Sequence, residues 1–109
     1  MHMLHKARVL LAATMAGNLL GCGNAIYAAR ITQASEELAR AEQLGAASRA
    51  PYEYYFALEH LRKARSEATE ADFGDAIELA RIAYDFASRA VQVAQHVEPA
   101  PLTPAPEPL

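Results

Sequence analysis

The sequence has no tryptophan, only five glycines and a single cysteine, Cys22, among its 109 residues. One cysteine excludes an internal disulfide framework. The length allows one small domain with a thin core. Because alanine is abundant and glycine is rare away from the N-terminus, the composition favours helices.

The sequence also lacks an apolar run of the length that a membrane-spanning helix needs, which is about 20 residues. The apolar run nearest the N-terminus, Val9 to Leu20, has 12 residues and follows the basic residues Lys6 and Arg8. A basic start followed by a short apolar segment is typical of a signal peptide. We therefore predict a signal peptide over residues 1–21.

The end of this segment, Leu19-Leu20-Gly21-Cys22, resembles the lipobox of bacterial lipoproteins. The resemblance implies cleavage between Gly21 and Cys22, a diacylglycerol on the thiol of Cys22 and an acyl group on its new amino group. Two or more acyl chains anchor a protein firmly. Gly23 stands where lipoproteins of the inner membrane often carry Asp, which implies the periplasmic side of the outer membrane. The alternative is an uncleaved anchor helix with an incidental cysteine.

Basic charge is scarce after Cys22. All 13 acidic residues follow Cys22, whereas two of the ten basic residues, Lys6 and Arg8, precede it. The only basic cluster, residues 62–65, lies among glutamates. Nucleic-acid binding requires a basic footprint, so nucleic acid is excluded as a predicted partner, and so is electrostatic attachment to anionic lipid.

Apolar residues recur at helical spacing over three segments, 24–44, 51–69 and 72–97. Gly45 is predicted to cap the first helix, Pro51 to begin the second and Asp72 to cap the third at its N-terminus. The predicted fold class is all-α, an antiparallel helical hairpin or a three-helix bundle, in a domain of residues 22–98.

Two surface ion pairs with i,i+4 spacing are also predicted. They are Glu36 with Arg40 and Glu59 with Lys63.

The third helix carries two apolar stripes. One is rich in alanine and includes Tyr84, and the other contains Leu79, Ile82, Phe86 and Val93. Together the two stripes cover a wider arc of the helix surface than a helix that packs on one side requires. This helix therefore needs two neighbours. The second stripe is covered either by the first helix or by another molecule. We therefore take it as a candidate partner surface.

The aromatic string "PYEYYF" contributes three further candidates for the partner surface, Tyr52, Tyr55 and Phe56. They point away from the apolar stripe of their own helix. We expect them to pack on the first helix near Leu44 and Ala46, because a cluster of exposed aromatic side chains is uncommon unless it forms an interaction site. The alternative is an exposed patch that binds a partner.

The last eleven residues, 99–109, contain five of the six prolines. Alternate prolines cannot sustain a helix and favour polyproline II. We predict a proline-rich flexible tail that is a disordered end, a spacer or a docking peptide.

Chemical motifs are scarce. Only His60 and His96 follow Cys22, and neither lies in a metal-ligand pattern such as H-E-x-x-H. We predict no enzyme activity, no catalytic residue, no metal and no cofactor apart from covalent lipid on Cys22.

The string "ATEADFGDAIELARIAYDFASRA" resembles half of a tetratricopeptide-type repeat. Together with the lipobox and "APYEYYFALEHLRKAR", residues 22–97 resemble a family of short, alanine-rich envelope lipoproteins with a domain of unknown function. That domain is sometimes joined to an OmpA-like peptidoglycan-binding domain, which is absent from this sequence, so peptidoglycan is only a possible partner. Our main interpretation is a small helical scaffold or adaptor in envelope assembly, with an envelope protein as its partner. The alternative is a structural spacer that binds further copies of itself.

Overall fold

A computed structural model describes residues 22–98, and the predicted signal peptide, its cleavage site at Gly21 and the proline-rich tail lie outside these described residues. Residues 22–98 form four helices and no strand, which confirms the all-α fold class. The helices are α1 (Cys22–Gln43), α2 (Ala46–Arg49), α3 (Pro51–Thr69) and α4 (Phe73–His96).

The three long helices form one bundle in which α4 packs against both α1 and α3. Tyr27 and Phe73, near the starts of α1 and α4, have ring centroids 5.9 Å apart. Further along the same two helices, the Ser88 hydroxyl donates to Glu37 over 3.3 Å. Helices α1 and α4 therefore run parallel, and α3 runs antiparallel to both. The predicted need of the last helix for two neighbours is confirmed.

The connection from α1 to α3 contains a helical turn that the sequence reasoning missed. Gly45 has a φ of 75°, in the left-handed region that glycine adopts at helix ends. Its N–H donates to the Glu42 carbonyl over 2.9 Å, which confirms the predicted C-terminal cap. The single turn α2 follows before Pro51 begins α3. A four-residue helix is too short to show an apolar period.

The turn from α3 to α4 is a Schellman motif. The N–H of Asp72 donates to the Glu67 carbonyl over 3.0 Å, and the N–H of Ala71 donates to the Ala68 carbonyl over 3.1 Å. Ala71 has a φ of 61° at the position that glycine usually occupies. The Asp72 carboxylate then accepts from the N–H of Asp75 over 3.2 Å, which confirms the predicted N-cap of α4.

The core of the bundle is built mainly from alanine. Most of the buried side chains are alanines on the facing sides of α1, α3 and α4, and larger buried residues such as Leu38, Leu61 and Val91 are few. Small side chains let helix backbones approach closely. Since each alanine removes little area from water, the gain in stability per residue is small. The bundle depends on all three helices packing together.

The surface ion pairs differ from the predicted ones. Glu59 pairs with Arg62 over 2.8 Å, while Lys63 pairs with Glu67 over 3.1 Å. On α1, Arg40 lies 3.9 Å from Glu37. Residues three and four apart are both neighbours on a helix surface, so the spacing alone did not decide between the two partners.

None of the helices within residues 22–98 combines the length and the apolar character that crossing a membrane would require.

Candidate functional site

Three aromatic rings from α3 and α4 meet at the bundle surface, and we call Tyr52, Phe56 and Phe86 the aromatic patch. The ring centroid of Phe56 lies 4.0 Å from that of Phe86. The Tyr52 ring lies 5.8 Å from Phe56 and 6.2 Å from Phe86, which it meets edge-on. Tyr52 is 66% exposed, whereas Phe56 and Phe86 are half-buried. The patch therefore presents an apolar surface whose most exposed part is Tyr52.

Two nitrogen-bearing side chains border the aromatic patch. The His60 ring stacks on Phe56 at 4.1 Å, and its Nδ1 lies 2.9 Å from the Phe56 carbonyl oxygen. The Arg89 guanidinium lies 4.8 Å from the centroid of the Phe86 ring, in a cation–π contact. Arg89 makes no ion pair with a carboxylate among residues 22–98. Its donors stand beside the rings at the surface.

The expectation that the "PYEYYF" aromatics pack on the first helix is wrong for Tyr52 and Phe56. Their rings contact Phe86 of α4. These two residues are four positions apart on the flank of α3 that faces the second stripe of α4, so both rings reach the same neighbour. The cover over Phe86 comes from α3, not from α1.

The other predicted partner-surface residues are placed separately from the patch. Tyr55 is 51% exposed, and its ring meets Tyr54 edge-on at 5.1 Å. Val93 is half-buried and packs against the core. Leu79 and Ile82 are also half-buried. The structure brings together three of the seven candidate residues.

A further expectation is wrong for Tyr84. The sequence places it in the first apolar stripe of the last helix, but it is 42% exposed. It lies at a groove of about 430 Å³ between α1 and α4. The groove is lined by Arg30, Gln33, Glu36, Glu37, Ala80, Arg81 and Tyr84. A tyrosine at the edge of a stripe can bury part of its ring and keep its hydroxyl in water.

The charged residues beside this groove already neutralise one another. Arg81 donates to Glu78 and to Asp85, at 2.6 Å and 2.7 Å. The hydrogen bond from Arg81 lowers the pKa of the Glu78 carboxyl, and the same contact raises the pKa of Arg81. The groove is a solvated polar surface in which Arg81 is already paired with two carboxylates.

Three carboxylates, those of Glu67, Asp72 and Asp75, have oxygen atoms within 4.8 Å of one another at the turn before α4. Two of them, those of Glu67 and Asp72, are explained by the fold. Glu67 pairs with Lys63, and Asp72 caps α4 by accepting from the Asp75 N–H. Sequence reasoning assigned Asp72 to capping but did not bring Glu67 beside it, because the Schellman turn decides that approach.

The aromatic patch lies far along the bundle from Cys22. Helix α1 begins at Cys22 and has 22 residues, so it extends over roughly 33 Å at 1.5 Å per residue. Helix α3 starts at the opposite end with Pro51, and Tyr52 is its second residue. Cys22 itself is exposed. The predicted lipid site therefore lies at one end of the bundle, and Phe86 of the patch lies roughly 20 Å further along it, because Gly23 lies beside Phe73 and Phe86 follows 13 positions later.

No protein-family model, curated protein or solved structure matches the chain. The resemblances to lipoproteins and to the alanine-rich envelope family remain predictions from the sequence.

Proposed function

We propose that this protein is a lipid-anchored adaptor of the cell envelope, attached through Cys22 to the periplasmic side of the outer membrane. Its aromatic patch binds a partner protein, and the bundle acts as a non-catalytic support. The lipobox-like string that ends at Cys22 supports the anchor, and the position of Cys22 as the first residue of α1 supports a rigid connection to it.

One observation carries the binding role, namely the exposed Tyr52 ring at the end of the bundle remote from Cys22. A lipid on Cys22 would lie roughly 20 Å from the level of Phe86, because Gly23 lies beside Phe73 and Phe86 follows Phe73 by 13 positions. Tyrosine is among the residues most enriched at protein interfaces, because its ring supplies apolar area and its hydroxyl supplies a hydrogen bond. An aromatic surface held away from the bilayer is accessible to a soluble domain or to another envelope protein.

The test is crosslinking in intact cells that carry the full-length chain. Tyr52→Ala should lower the recovery of crosslinked partner at least fivefold, with an unchanged melting temperature, since the ring is mostly exposed. Tyr84→Ala is the matched control, because Tyr84 is also an exposed tyrosine of the bundle but lies outside the patch.

Equal recovery from both variants would contradict the adaptor role of the patch. Crosslinks only between copies of this chain would favour the self-associating spacer instead.

A further inference from the structure

We propose that the aromatic patch binds an acidic segment of a partner protein, and that Arg89 receives a carboxylate of that segment. This inference rests on the proposed binding role of the patch and adds the chemistry of its partner. Arg89 is exposed on α4, three positions after Phe86, and its guanidinium lies over the Phe86 ring. Arg89 therefore places a positive charge directly beside the apolar rings.

Arg89 differs from the other basic side chains of the bundle in its lack of polar partners. Eight of the ten Lys and Arg residues follow Cys22, and all eight lie among the described residues. Seven of them form a hydrogen bond or an ion pair, namely Arg30, Arg40, Arg49, Arg62, Lys63, Arg65 and Arg81. Within residues 22–98, Arg89 forms neither, and its contact is with the Phe86 ring at 4.8 Å. Its guanidinium donors are therefore available for a ligand.

The acidic residues that neighbour the patch in the sequence leave the charge of Arg89 unmatched. Asp85 precedes Arg89 by four positions, which is the spacing of a favourable helical ion pair. The Asp85 carboxylate instead accepts from Arg81 over 2.7 Å. Glu53 follows Tyr52 at the start of α3, but it forms no ion pair within the part of the chain that the structure describes. A carboxylate from another protein would complete the site.

The contact with Phe86 prepares Arg89 to bind a carboxylate. A guanidinium is a planar fork of N–H donors whose geometry matches the two oxygens of a carboxylate. Ordering a long side chain at an interface normally costs conformational entropy. Because the Arg89 guanidinium already lies over the ring of Phe86, part of that entropy is lost before the partner arrives. The same contact holds the charge at the edge of the apolar surface.

One cation beside three rings fits a protein segment better than a membrane or a nucleic acid. Anionic lipids and nucleic acids are bound by clusters of Lys and Arg. Tyrosine and arginine, by contrast, are among the residues that contribute most to protein interfaces. Side chains three or four positions apart are neighbours on a helix. We therefore expect the partner segment to carry Asp or Glu within about four positions of an aromatic or aliphatic residue that covers the rings.

The experiment selects binders for the full chain, purified in detergent micelles, from a phage-displayed library of random short peptides. Peptides whose binding requires Tyr52 are expected to carry Asp or Glu beside an apolar residue. Arg89→Gln should weaken their binding at least about tenfold, since it removes a charge-assisted hydrogen bond. Arg89→Lys should restore only part of the affinity, because it keeps the charge and loses the planar fork.

Arg30→Gln is the matched control. Arg30 is an exposed basic residue of α1 that hydrogen-bonds to Gln33 and lies at the groove between α1 and α4, so its replacement removes the same charge outside the patch. Its binding of the selected peptides should stay within about twofold of the unchanged chain.

A double-mutant cycle identifies the pair. Replacing the acidic residue of a selected peptide by its amide should weaken binding to the unchanged chain and have little further effect on Arg89→Gln. Raising the salt concentration should weaken binding to the unchanged chain more than binding to Arg89→Gln, because salt screens the ion pair. A purely structural role of Arg89 would produce neither result.

Selected peptides that need Tyr52 but carry no acidic residue, or that bind Arg89→Gln as well as the unchanged chain, would overturn the acidic partner and leave the adaptor role standing. Selection of no peptide that depends on Tyr52 would overturn this inference as well. The crosslinking test in intact cells decides the adaptor role separately, because it does not depend on the charge of the partner.

Discussion

At the scale of single residues, Tyr54 shows how a thin core holds a polar side chain. Tyr54 is only 8% exposed. Burial raises the pKa of its phenol above the ordinary value of 10.0, and the nearby charge of Glu42 adds to this. The neutral form is therefore favoured in the folded state.

We predict that the bundle loses stability at alkaline pH through Tyr54. Because the pKa is raised in the folded state, the stabilising contribution is complete below pH 10 and is lost as the pH rises through the folded pKa. Tyr54→Phe should reduce the fall in melting temperature between pH 9 and pH 11, measured by circular dichroism. Tyr84 is exposed, so Tyr84→Phe should show the same fall in melting temperature as the unchanged chain.

Leu61 and Glu59 provide a second test at this scale. Leu61 is 3% exposed in the middle of α3, so Leu61→Asp leaves a cavity and an unpaired charge. The expected loss is about 4 kcal/mol or more, which is comparable with the whole stability of a small domain. Glu59→Ala removes one half of an exposed ion pair and should cost less than about 1 kcal/mol. Similar melting temperatures for the two variants would show that the core is assigned wrongly.

The sequence was informative about which residues are buried and less so about which rings meet. The alanine stripes of all three long helices are buried as their spacing predicts. The apolar pattern left open whether the first helix or another molecule covers Phe86, and the structure shows that Phe86 packs against the core and contacts the rings of Tyr52 and Phe56. Periodicity assigns a residue to a face of its helix, but contact between faces depends on how two helices are rotated against each other.

At the scale of elements, the period of apolar residues located three helices to within two residues at every end. It missed α2, which is a single turn. It also gave no indication that Ala71 occupies a left-handed position, because the Schellman motif usually has glycine there. The turns between helices are decided by local backbone hydrogen bonds that leave little trace in the apolar pattern.

Glycine is predicted to be the more stable residue at both turns, so substitutions in opposite directions should have opposite effects on stability. Ala71→Gly should stabilise the bundle by about 1 kcal/mol, because a left-handed conformation is costly for alanine and not for glycine. For a domain of this size the melting temperature should rise by roughly 4–8 °C.

Gly45→Ala is the reciprocal variant, at a residue with a φ of 75°. An added Cβ would meet only the Arg49 and Ser48 side chains, at 3.7 Å or more, so the cost is conformational strain and not a clash. The melting temperature should fall by a similar amount. Thermal melts in which both variants shift in the same direction would contradict this account of the turns.

At the scale of the whole molecule, the bundle separates the two proposed sites along its length. Helix α1 starts at the predicted lipid site, whereas Tyr52 of the aromatic patch lies at the start of α3 and Phe86 lies near the middle of α4. The sequence named Cys22 and the three aromatic residues as candidates, but it did not bring Tyr52 and Phe56 together with Phe86. Their distance from each other could not be predicted from the sequence, because it depends on α1 being continuous from Cys22 to Gln43 and on the tight turn at Gly45 that returns the chain.

Attachment through Cys22 is tested most directly by intact mass spectrometry of the full-length chain purified from cell membranes. The predicted result is a chain that begins at Cys22 and carries a diacylglyceryl group and an N-acyl group, with Cys22→Ala remaining as uncleaved, unmodified precursor. A chain that retains residues 1–21, or a mature chain with an unmodified cysteine, would contradict the proposal that this bundle is a lipid-anchored adaptor.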